Sequence, residues 1–338
     1  MINKETIGVA FLGVGRMGET HLRNLAAISG VRVIAVADLV AERAERGRVI
    51  TGAELALTDS LKAIQHPSVD AVVIVTTTDT HAQLIEQAVN AGKAVWSEKP
   101  IALNLSETQR VVQLVRERQI PVQIGFMRRF DPGYARAKAK IDAGELGKLE
   151  TFRALSRDTY PPSLEYLLGS GGLFLDMSVH DLDLARFLVG EIEEVSAWGS
   201  VLIDEKFAQA NDADTAVTLL KFKNGVLGVM ETSRRSNWGY DIRTEVAGSL
   251  GKVVVEAPQK TPLLFATDFA SSFDHYENFP DRFEVGYRRE LEAFFAALRE
   301  GRTVTPGPED ALETLRLALA VTKSWREKRP VNVKEIQI

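Results

Sequence analysis

The sequence predicts an α/β protein, with a doubly wound parallel sheet in its N-terminal part and an α+β domain on a large, mostly antiparallel sheet after it. Over the first 125 residues, short apolar runs alternate with helical patterns, which is typical of a parallel sheet covered by helices on both faces. After Gly125, strand patterns follow one another through turn signals, as in antiparallel sheets. We therefore predict an N-terminal domain over 1–125 and a C-terminal domain over 126–338.

The N-terminal strands are predicted from apolar runs that have the length and composition of buried strands. These runs lie at 7–12, 31–37, 71–76, 94–97 and 121–125. Helical patterns fill the intervals at 18–28, 41–48, 59–65, 80–92 and 106–118. Ligands of such sheets bind at the carboxyl ends of the strands, so functional residues are expected there.

The C-terminal strands are predicted from alternating or apolar patterns, and Asn224-Gly225 marks a hairpin between two of them. The patterns lie at 148–156, 193–203, 214–222, 225–233, 241–247 and 252–256. Helices are predicted near 133–143, 173–189, 284–300 and 308–327. Pro306-Gly307-Pro308 separates the last two helices.

Composition narrows the class of protein. The 338 residues suffice for about two domains, and the net charge of −5 with no basic block argues against binding to nucleic acid or to an anionic membrane. No apolar run reaches the length of roughly 18 residues that spans a bilayer, and the N-terminus has no secretory pattern. The chain has no cysteine, which excludes disulfides and thiolate chemistry, and we expect a cytoplasmic protein.

A glycine-rich turn joins the first predicted strand to the first helix: Gly13-Val14-Gly15-Arg16-Met17-Gly18. Gly13 permits the tight turn, Gly15 lets the backbone approach a pyrophosphate, and Gly18 allows the helix to pack closely on the strand. The N–H groups at the start of the helix then face the phosphate charge. Strand, glycine turn, helix, strand and acid occur in the order of a Rossmann dinucleotide-binding unit.

Asp38, at the end of the second strand, is the acid of this unit. Its carboxylate is expected to accept hydrogen bonds from the adenosine ribose and to repel a 2′-phosphate, so NAD is favoured over NADP. Arg43 and Arg46 lie nearby and leave some room for a phosphate.

Lys99 follows the apolar run at 94–97 and should project from the end of a strand toward the ligand. An amine there can approach a substrate hydroxyl. The alternative is a surface lysine at the start of a loop. Because Pro100 follows, the Lys99–Pro100 peptide bond can be cis, although most such bonds are trans.

Asp176 and His180 are i,i+4 neighbours if 173–189 is one helix. A histidine beside a carboxylate is a plausible general base, and Gly171-Gly172 leaves space for a ligand at the start of the helix. The alternative is a structural Asp–His pair. A metal site is not expected, because no second histidine cluster accompanies these carboxylates.

Other polar residues have weaker patterns. Arg128 lines a crevice or forms salt bridges, Asp158 precedes a loop that can cap a substrate, and Tyr240 offers a hydroxyl or packs in a turn. The remaining histidines have no convincing partner in the sequence and are interpreted as ordinary core or surface residues: His21, His66 and His275.

The glycine motif, Glu98-Lys99-Pro100 and Asp176-x-x-x-His180, in this order, resemble the Gfo/Idh/MocA oxidoreductase family. The blocks that resemble its inositol 2-dehydrogenase branch run from about residue 7 to 250 and include 125–132, 156–158, 170–172, 180–188, 212–216 and 239–241. The resemblance implies a Rossmann domain, an α/β domain with a large open sheet, and a homotetramer built through those sheets. Two positions depart from the pattern: Thr77 stands where the family often has proline, and Thr159-Tyr160 stands where the inositol enzymes often have proline.

The resemblance also implies the site residues. Lys99, Asp176 and His180 match the family's catalytic residues. The cofactor-binding residues are expected to be Gly13, Gly15, Arg16, Met17, Gly18, Asp38, Thr76, Thr77, His81, Glu98 and Lys99. The substrate-binding residues are expected to be Lys99, Arg128, Asp158, Asp176, His180 and Tyr240.

The function implied is NAD-dependent oxidation of a secondary ring hydroxyl of myo- or scyllo-inositol to a ketone. His180 takes the hydroxyl proton, Asp176 orients the histidine, and Lys99 holds the reacting oxygen. Three alternatives stay open: a dehydrogenase of a cyclic aldose of the glucose or xylose type, an NAD-dependent glycosidase, and a non-catalytic dinucleotide sensor.

Overall fold

The computed structural model of the chain describes residues 5–337. Its residues group into two compact units. The first unit contains the chain up to Phe130 together with 285–315, and the second contains Asp131–Glu284 and the chain from Arg316 onward. A late segment of the chain therefore packs in the first unit, and the sequence pattern gives no sign of this return.

The first unit is built on a parallel sheet of six strands. The strand order is β3-β2-β1-β4-β5-β6, and all neighbouring strands are parallel. The order of the strands along the sheet reverses between β1 and β4, so the predicted doubly wound sheet is confirmed. The elements up to residue 125 are β1 (Ile7–Leu12), α1 (Arg16–Ala26), β2 (Val31–Ala37), α2 (Ala41–Thr51), β3 (Leu55–Leu57), α3 (Ser60–Ile64), β4 (Ala71–Ile74), α4 (Thr78–Asn90), β5 (Ala94–Glu98), α5 (Leu105–Arg118) and β6 (Val122–Gly125).

The second unit is built on a sheet of seven strands, β12-β11-β7-β10-β9-β8-β15. Every neighbouring pair is antiparallel except β7 and β10, so the predicted mostly antiparallel sheet is confirmed. The remaining helices and strands of the chain are α6 (Pro132–Asp142), β7 (Leu149–Arg157), α7 (Leu164–Ser170), α8 (Val179–Leu188), β8 (Ile192–Ser200), α9 (Lys206–Gln209), β9 (Thr215–Phe222), β10 (Leu227–Ser233), β11 (Asp241–Gly248), β12 (Gly251–Val255), β13 (Leu264–Ala266), β14 (Ser271–Phe273), α10 (Phe279–Arg282), α11 (Glu284–Glu300), α12 (Pro308–Glu327) and β15 (Val331–Asn332).

The core of the first unit explains its apolar strands. All six residues of β1 are buried, because helices cover both faces of the sheet. Leu291, Phe294 and Phe295 of α11 belong to the same core cluster as Phe11 and Trp96. The segment 285–315 is thus held in the first unit by large apolar side chains, because burying them removes their surface from contact with water.

The sheet of the second unit has one buried face. Along β9, buried residues alternate with exposed ones, so one set of side chains packs in the core and the other faces outward. The outward set includes apolar side chains, among them Val217 and Leu219. No helix in the described part of the chain is both long and apolar enough to cross a bilayer.

The helix predicted near 173–189 is present, but its first part is not α-helical. Residues Phe174–Ser178 form a π-helical turn, and the α-helix begins only at Val179. A π turn has more residues per turn than an α-helix, so the i,i+4 stripe assumed for Asp176 and His180 does not apply across it. The spacing of apolar residues is similar in a π turn and in an α-helix, so the sequence pattern did not distinguish the two.

Candidate active site

The glycine turn has the geometry of a phosphate-binding loop. Gly13 has φ +94°, and a Cβ there would lie 2.4 Å from the carbonyl oxygen of Val75. A Cβ at Gly18 would lie 2.1 Å from the carbonyl oxygen of Gly13, whereas a Cβ at Gly15 would meet no atom within 4 Å. Helix α1 begins at Arg16, and its N-cap, Gly15, has no side chain to cap the first turn. The loop therefore leaves room for an anion at a helix N-terminus, which fits a dinucleotide pyrophosphate.

Asp38 lies at the carboxyl end of β2 and also holds the glycine turn. Its Oδ2 accepts a hydrogen bond of 2.7 Å from the backbone N–H of Val14. Of the two nearby cations, Arg46 is paired with Glu19 at 2.8 Å and Arg43 is exposed. A fixed carboxylate beside the loop and an engaged arginine favour a ribose hydroxyl over a 2′-phosphate.

The loop after β4 is tied to the end of β5 by His81. This buried ring places Nδ1 2.8 Å from the carbonyl oxygen of Pro100 and Nε2 3.0 Å from that of Thr76. Thr77 is the N-cap residue of α4, and its carbonyl oxygen accepts from the Thr80 hydroxyl at 2.8 Å. Thr77 thus fits the loop without the proline that the family often has.

Lys99 follows the last residue of β5 and is half-buried. Its backbone N–H donates to Glu98 Oε2 at 3.1 Å, and the Lys99–Pro100 peptide bond is cis. Because β1, β4 and β5 are neighbouring parallel strands, their carboxyl ends place the glycine turn, the Thr76 loop and Lys99 along one edge of the sheet.

In the second unit, Asp176 belongs to the π turn and His180 to the first turn of α8, and both are half-buried. Single π turns inside helices are frequent at functional sites. Asp181 and Asp183, on the same helix, are fully buried.

A buried arginine holds Asp176. Arg234, only 3% exposed, donates to Asp176 Oδ2 at 2.8 Å and to Asp158 Oδ2 at 3.2 Å. The hydroxyl of Tyr166 donates to the other Asp176 oxygen, Oδ1, at 2.9 Å. Two carboxylates from different elements are therefore fixed by one guanidinium, whose planar fork suits such pairing.

The charges of this network shift its pKa values. Burial tends to lower the pKa of Arg234, but the negative charges of Asp176 and Asp158 outweigh it and raise the pKa. Burial, followed by the negative charge of Asp176, raises the pKa of the Tyr166 phenol. Arg234 is thus a cation and Tyr166 a neutral hydrogen-bond donor at neutral pH.

Asp212 fills the space beside Gly172 that the sequence assigned to a ligand. Its two carboxyl oxygens lie 3.1 and 3.0 Å from the N–H of Leu173, and a Cβ at Gly172 would lie 2.9 Å from Asp212 Oδ1. Burial raises the pKa of Asp212, although these backbone hydrogen bonds oppose the shift. Gly172 is needed because the Asp212 carboxylate approaches the backbone too closely for a Cβ.

The other expected substrate residues lie in different surroundings. Arg128 is buried in a short 3₁₀ turn, Met127–Phe130, of the first unit. Tyr240 is 8% exposed, and its ring packs edge-on against Phe283 at 6.3 Å between centroids.

Sequence reasoning missed Arg234, Tyr166 and Asp212. Arg234 is the first residue after β10, and only its position at a strand end signals function. It also missed a partner for His21, which was interpreted as an ordinary histidine: His21 Nε2 lies 2.9 Å from Glu98 Oε1.

The strand order, the open glycine turn and Asp38 define a dinucleotide-binding protein of the Rossmann class. Two family models match the chain: the oxidoreductase family, NAD-binding Rossmann fold, over residues 7–126, and the oxidoreductase family, C-terminal alpha/beta domain, over 138–333. The chain belongs to the Gfo/Idh/MocA oxidoreductase family.

Relatives match it over nearly their whole length. The chain is 37% identical over 330 residues to a myo-inositol 2-dehydrogenase of Thermotoga maritima, covering 97% of this chain and 99% of the relative. It is 39% identical over 326 residues to a scyllo-inositol 2-dehydrogenase (NAD(+)) of Bacillus subtilis, covering 96% and 95%. A crystal structure of scyllo-inositol dehydrogenase from Lactobacillus casei with bound NAD(H) and scyllo-inositol superposes with a TM-score of 0.92 at 31% identity, covering 97% and 99%.

Proposed function

We propose that this protein is an NAD-dependent dehydrogenase that oxidises a secondary ring hydroxyl of myo- or scyllo-inositol to the ketone. One observation carries the proposal. The glycine turn with Asp38, and the full set Lys99, Asp176 and His180, occur in a chain that matches inositol dehydrogenases from end to end.

The cofactor is held by the first unit. The N–H groups at the start of α1 bind the pyrophosphate, and Asp38 accepts from the ribose hydroxyls. When bound, NAD supplies the acceptor for the hydride that leaves the substrate carbon. The glycine turn, the Thr76 loop and Lys99 lie along the same sheet edge, which supports this assignment.

In the proposed reaction, the hydroxyl loses its proton to His180 while the carbon loses a hydride, so the products are a ketone, NADH and a proton. Lys99 donates a hydrogen bond to the reacting oxygen and stabilises its developing negative charge. Asp176 orients His180 as a fixed anion, because Arg234 and Tyr166 hold both of its oxygens. Arg128, Asp158 and Tyr240 contact the remaining hydroxyls.

The experiment is a substrate panel. The purified protein is incubated with myo-inositol, scyllo-inositol, glucose and xylose, separately with NAD and with NADP, and reduced cofactor is measured by fluorescence. We expect NADH from an inositol and little NADPH. Turnover restricted to aldoses would favour the cyclic-sugar alternative, and glycoside cleavage without net NADH would favour the glycosidase. Tight NAD binding with no turnover would favour a sensor.

We further propose a homotetramer that associates through the outward face of the second-unit sheet. On that face, Trp198 lies opposite Val217, and Leu219 lies two residues further along β9. The hairpin β13–β14 forms a two-stranded sheet of its own, and Phe269 at its tip is 99% exposed. Contiguous apolar surface of this kind marks association sites.

A cytoplasmic location stays a prediction from composition.

A further inference from the structure

A buried pair of glutamates lies behind Lys99 in the first unit. Glu290 of α11 and His21 of α1 are fully buried, and Glu98 at the end of β5 is partly buried. One ring nitrogen of His21 and one carboxyl oxygen of each glutamate lie within 4.8 Å of one another. Neither carboxyl oxygen of Glu290 has a hydrogen-bond partner among residues 5–337. Burying an acid without a hydrogen-bond partner costs folding free energy, so its presence in the core needs an explanation.

Glu98 connects two parts of the dinucleotide-binding edge. Its Oε1 accepts from His21 Nε2–H at 2.9 Å, and its Oε2 accepts from the backbone N–H of Lys99 at 3.1 Å. The His21 ring is fixed by Trp96, with ring centroids 4.7 Å apart, and by Tyr287, at 5.3 Å and perpendicular. The Glu98 carboxylate therefore links α1, which follows the glycine turn, to the main chain of Lys99.

The two acids have opposite charge preferences. Burial, and then the negative charge of Glu98, raise the pKa of Glu290 well above its usual range. Burial tends to raise the pKa of Glu98 too, but the hydrogen bond from His21 and the positive charges of His21, Lys99 and His81 outweigh it, so this pKa is lowered. The titratable groups beside the Glu290 carboxyl are Glu98 from β5 and His21 from α1, and Tyr287 of α11 packs against the His21 ring.

We propose that Glu290 is a positioning residue that acts as a neutral carboxylic acid, leaving Glu98 as the single negative charge that ties α1 to Lys99. The proposal rests on the proposed function, because it takes Lys99 as the residue that contacts the substrate oxygen. A second negative charge beside Glu98 would repel its carboxylate and compete with it for His21, which would loosen the link. The neutral acid fills the space next to Glu98 without adding that charge.

The first test measures thermal unfolding of the wild type and of Glu290→Gln between about pH 5 and about pH 9. An acid whose pKa is raised in the native state contributes stability below its unfolded pKa of about 4.3, and this contribution is lost as the pH rises toward the native value. Glutamine copies the neutral acid and has no such loss. We expect the Tm of the variant to rise relative to the wild type as the pH increases. A Tm difference between variant and wild type that stays constant or falls as the pH rises would overturn the proposal, because Glu290 would then be an anion over this pH range.

The second test separates positioning from packing. Glu98→Gln should lower kcat on the order of 10²-fold, since small misplacements of a catalytic group have effects of that size. Glu290→Ala should lower kcat, and Glu290→Gln should rescue it. Failure of glutamine to rescue would overturn the proposal. So would a stoichiometric divalent cation in the purified protein that Glu290→Gln loses, because His21, Glu98 and Glu290 would then be metal ligands.

The first test fails independently of the proposed function, because the pH dependence of Tm needs no inositol turnover. A wild type that is inactive on every inositol would contradict the proposed function and leave the pH test intact. A wild type that oxidises inositol, with a Tm difference that does not rise with pH, would contradict only the role of Glu290.

Discussion

Arg234 is a buried cation that holds two carboxylates of the second unit. It donates to Asp176 and Asp158, and almost none of its surface meets water. Taking a guanidinium out of water is costly, and only close counter-charges repay that cost. Its removal would leave two carboxylates beside each other without compensation.

We predict that Arg234→Gln lowers both stability and turnover. The loss of a buried ion-pair partner should cost about 3 to 5 kcal/mol of unfolding free energy. The resulting movement of Asp176 should lower kcat on the order of 10²-fold. Thermal unfolding and steady-state kinetics with an inositol measure the two effects.

Arg235→Gln is the matched control for this prediction. It removes the same charge from the adjacent position, where the side chain is exposed. We expect it to change stability by less than about 0.5 kcal/mol, as is usual for surface substitutions. Equal effects of the two substitutions would mean that the Arg234 network has no special role.

Sequence reasoning proposed Lys99, Asp176 and His180 as catalytic residues but did not find the residues that hold Asp176. Lys99 follows a recognisable strand, and Asp176 and His180 belong to a motif with fixed spacing. Arg234 contacts Asp176 across 58 positions of the chain, and Tyr166 belongs to a short helix without a strong periodic pattern. Contacts between distant segments depend on the fold of the sheet, which a single sequence does not encode locally.

At the level of elements, the turn between β1 and α1 uses its glycines for different purposes. Gly18 is needed by the protein itself, because a Cβ there would collide with the carbonyl oxygen of Gly13. Gly15 has open space around its Cβ position, so only a bound ligand requires its lack of a side chain.

This difference predicts opposite phenotypes for two alanine substitutions. Gly18→Ala should lower the Tm, because the helix must shift away from the strand. Gly15→Ala should leave the Tm of the cofactor-free protein near the wild-type value and weaken NAD binding roughly tenfold or more, about 1.4 kcal/mol. Thermal unfolding and calorimetric titration with NAD check these results. Unchanged NAD affinity in Gly15→Ala would show that the pyrophosphate does not bind at this turn.

Long elements were predictable and short ones were not. The helices predicted near 284–300 and 308–327 are observed as α11 and α12. The short strands β3, β13, β14 and β15 have two or three residues each, too few for an alternating pattern to be recognised. The π turn was missed because one extra residue per turn hardly changes the order of apolar side chains.

On the scale of the whole molecule, the outward face of the second-unit sheet determines the proposed assembly. Trp198 is 60% exposed and Leu219 is 47% exposed. Association would remove these side chains from water, which is favourable in proportion to the apolar area buried.

We predict that Leu219→Glu lowers the oligomeric state of the protein. A carboxylate in the middle of an apolar interface would be buried without a partner, and desolvation of that charge opposes association. Size-exclusion chromatography with light scattering measures the mass. Val49→Glu, on the exposed side of α2, is the control and should leave the mass unchanged. A wild-type monomer, or a tetramer that survives Leu219→Glu, would contradict the proposed interface.

Which segments of the chain belong to each unit could be predicted only partly from the sequence. The change of pattern after Gly125 marks the end of the parallel sheet, whose last strand ends at that residue. The return of 285–315 to the first unit depends on which core its apolar residues enter, and amphipathic helices have no sequence signal that specifies the partner. Only the folded structure shows that Leu291 and Phe294 of this segment pack in the core of the first unit.

The most direct test of the central claim compares NADH formation from myo- and scyllo-inositol by the wild type, Lys99→Ala and His180→Ala, with His66→Ala as a matched histidine control. We predict NADH formation by the wild type and by the control, and a loss of several orders of magnitude in turnover for the other two variants, with NAD still bound. Near-normal turnover in Lys99→Ala or His180→Ala, or no NADH from either inositol with the wild type, would contradict it.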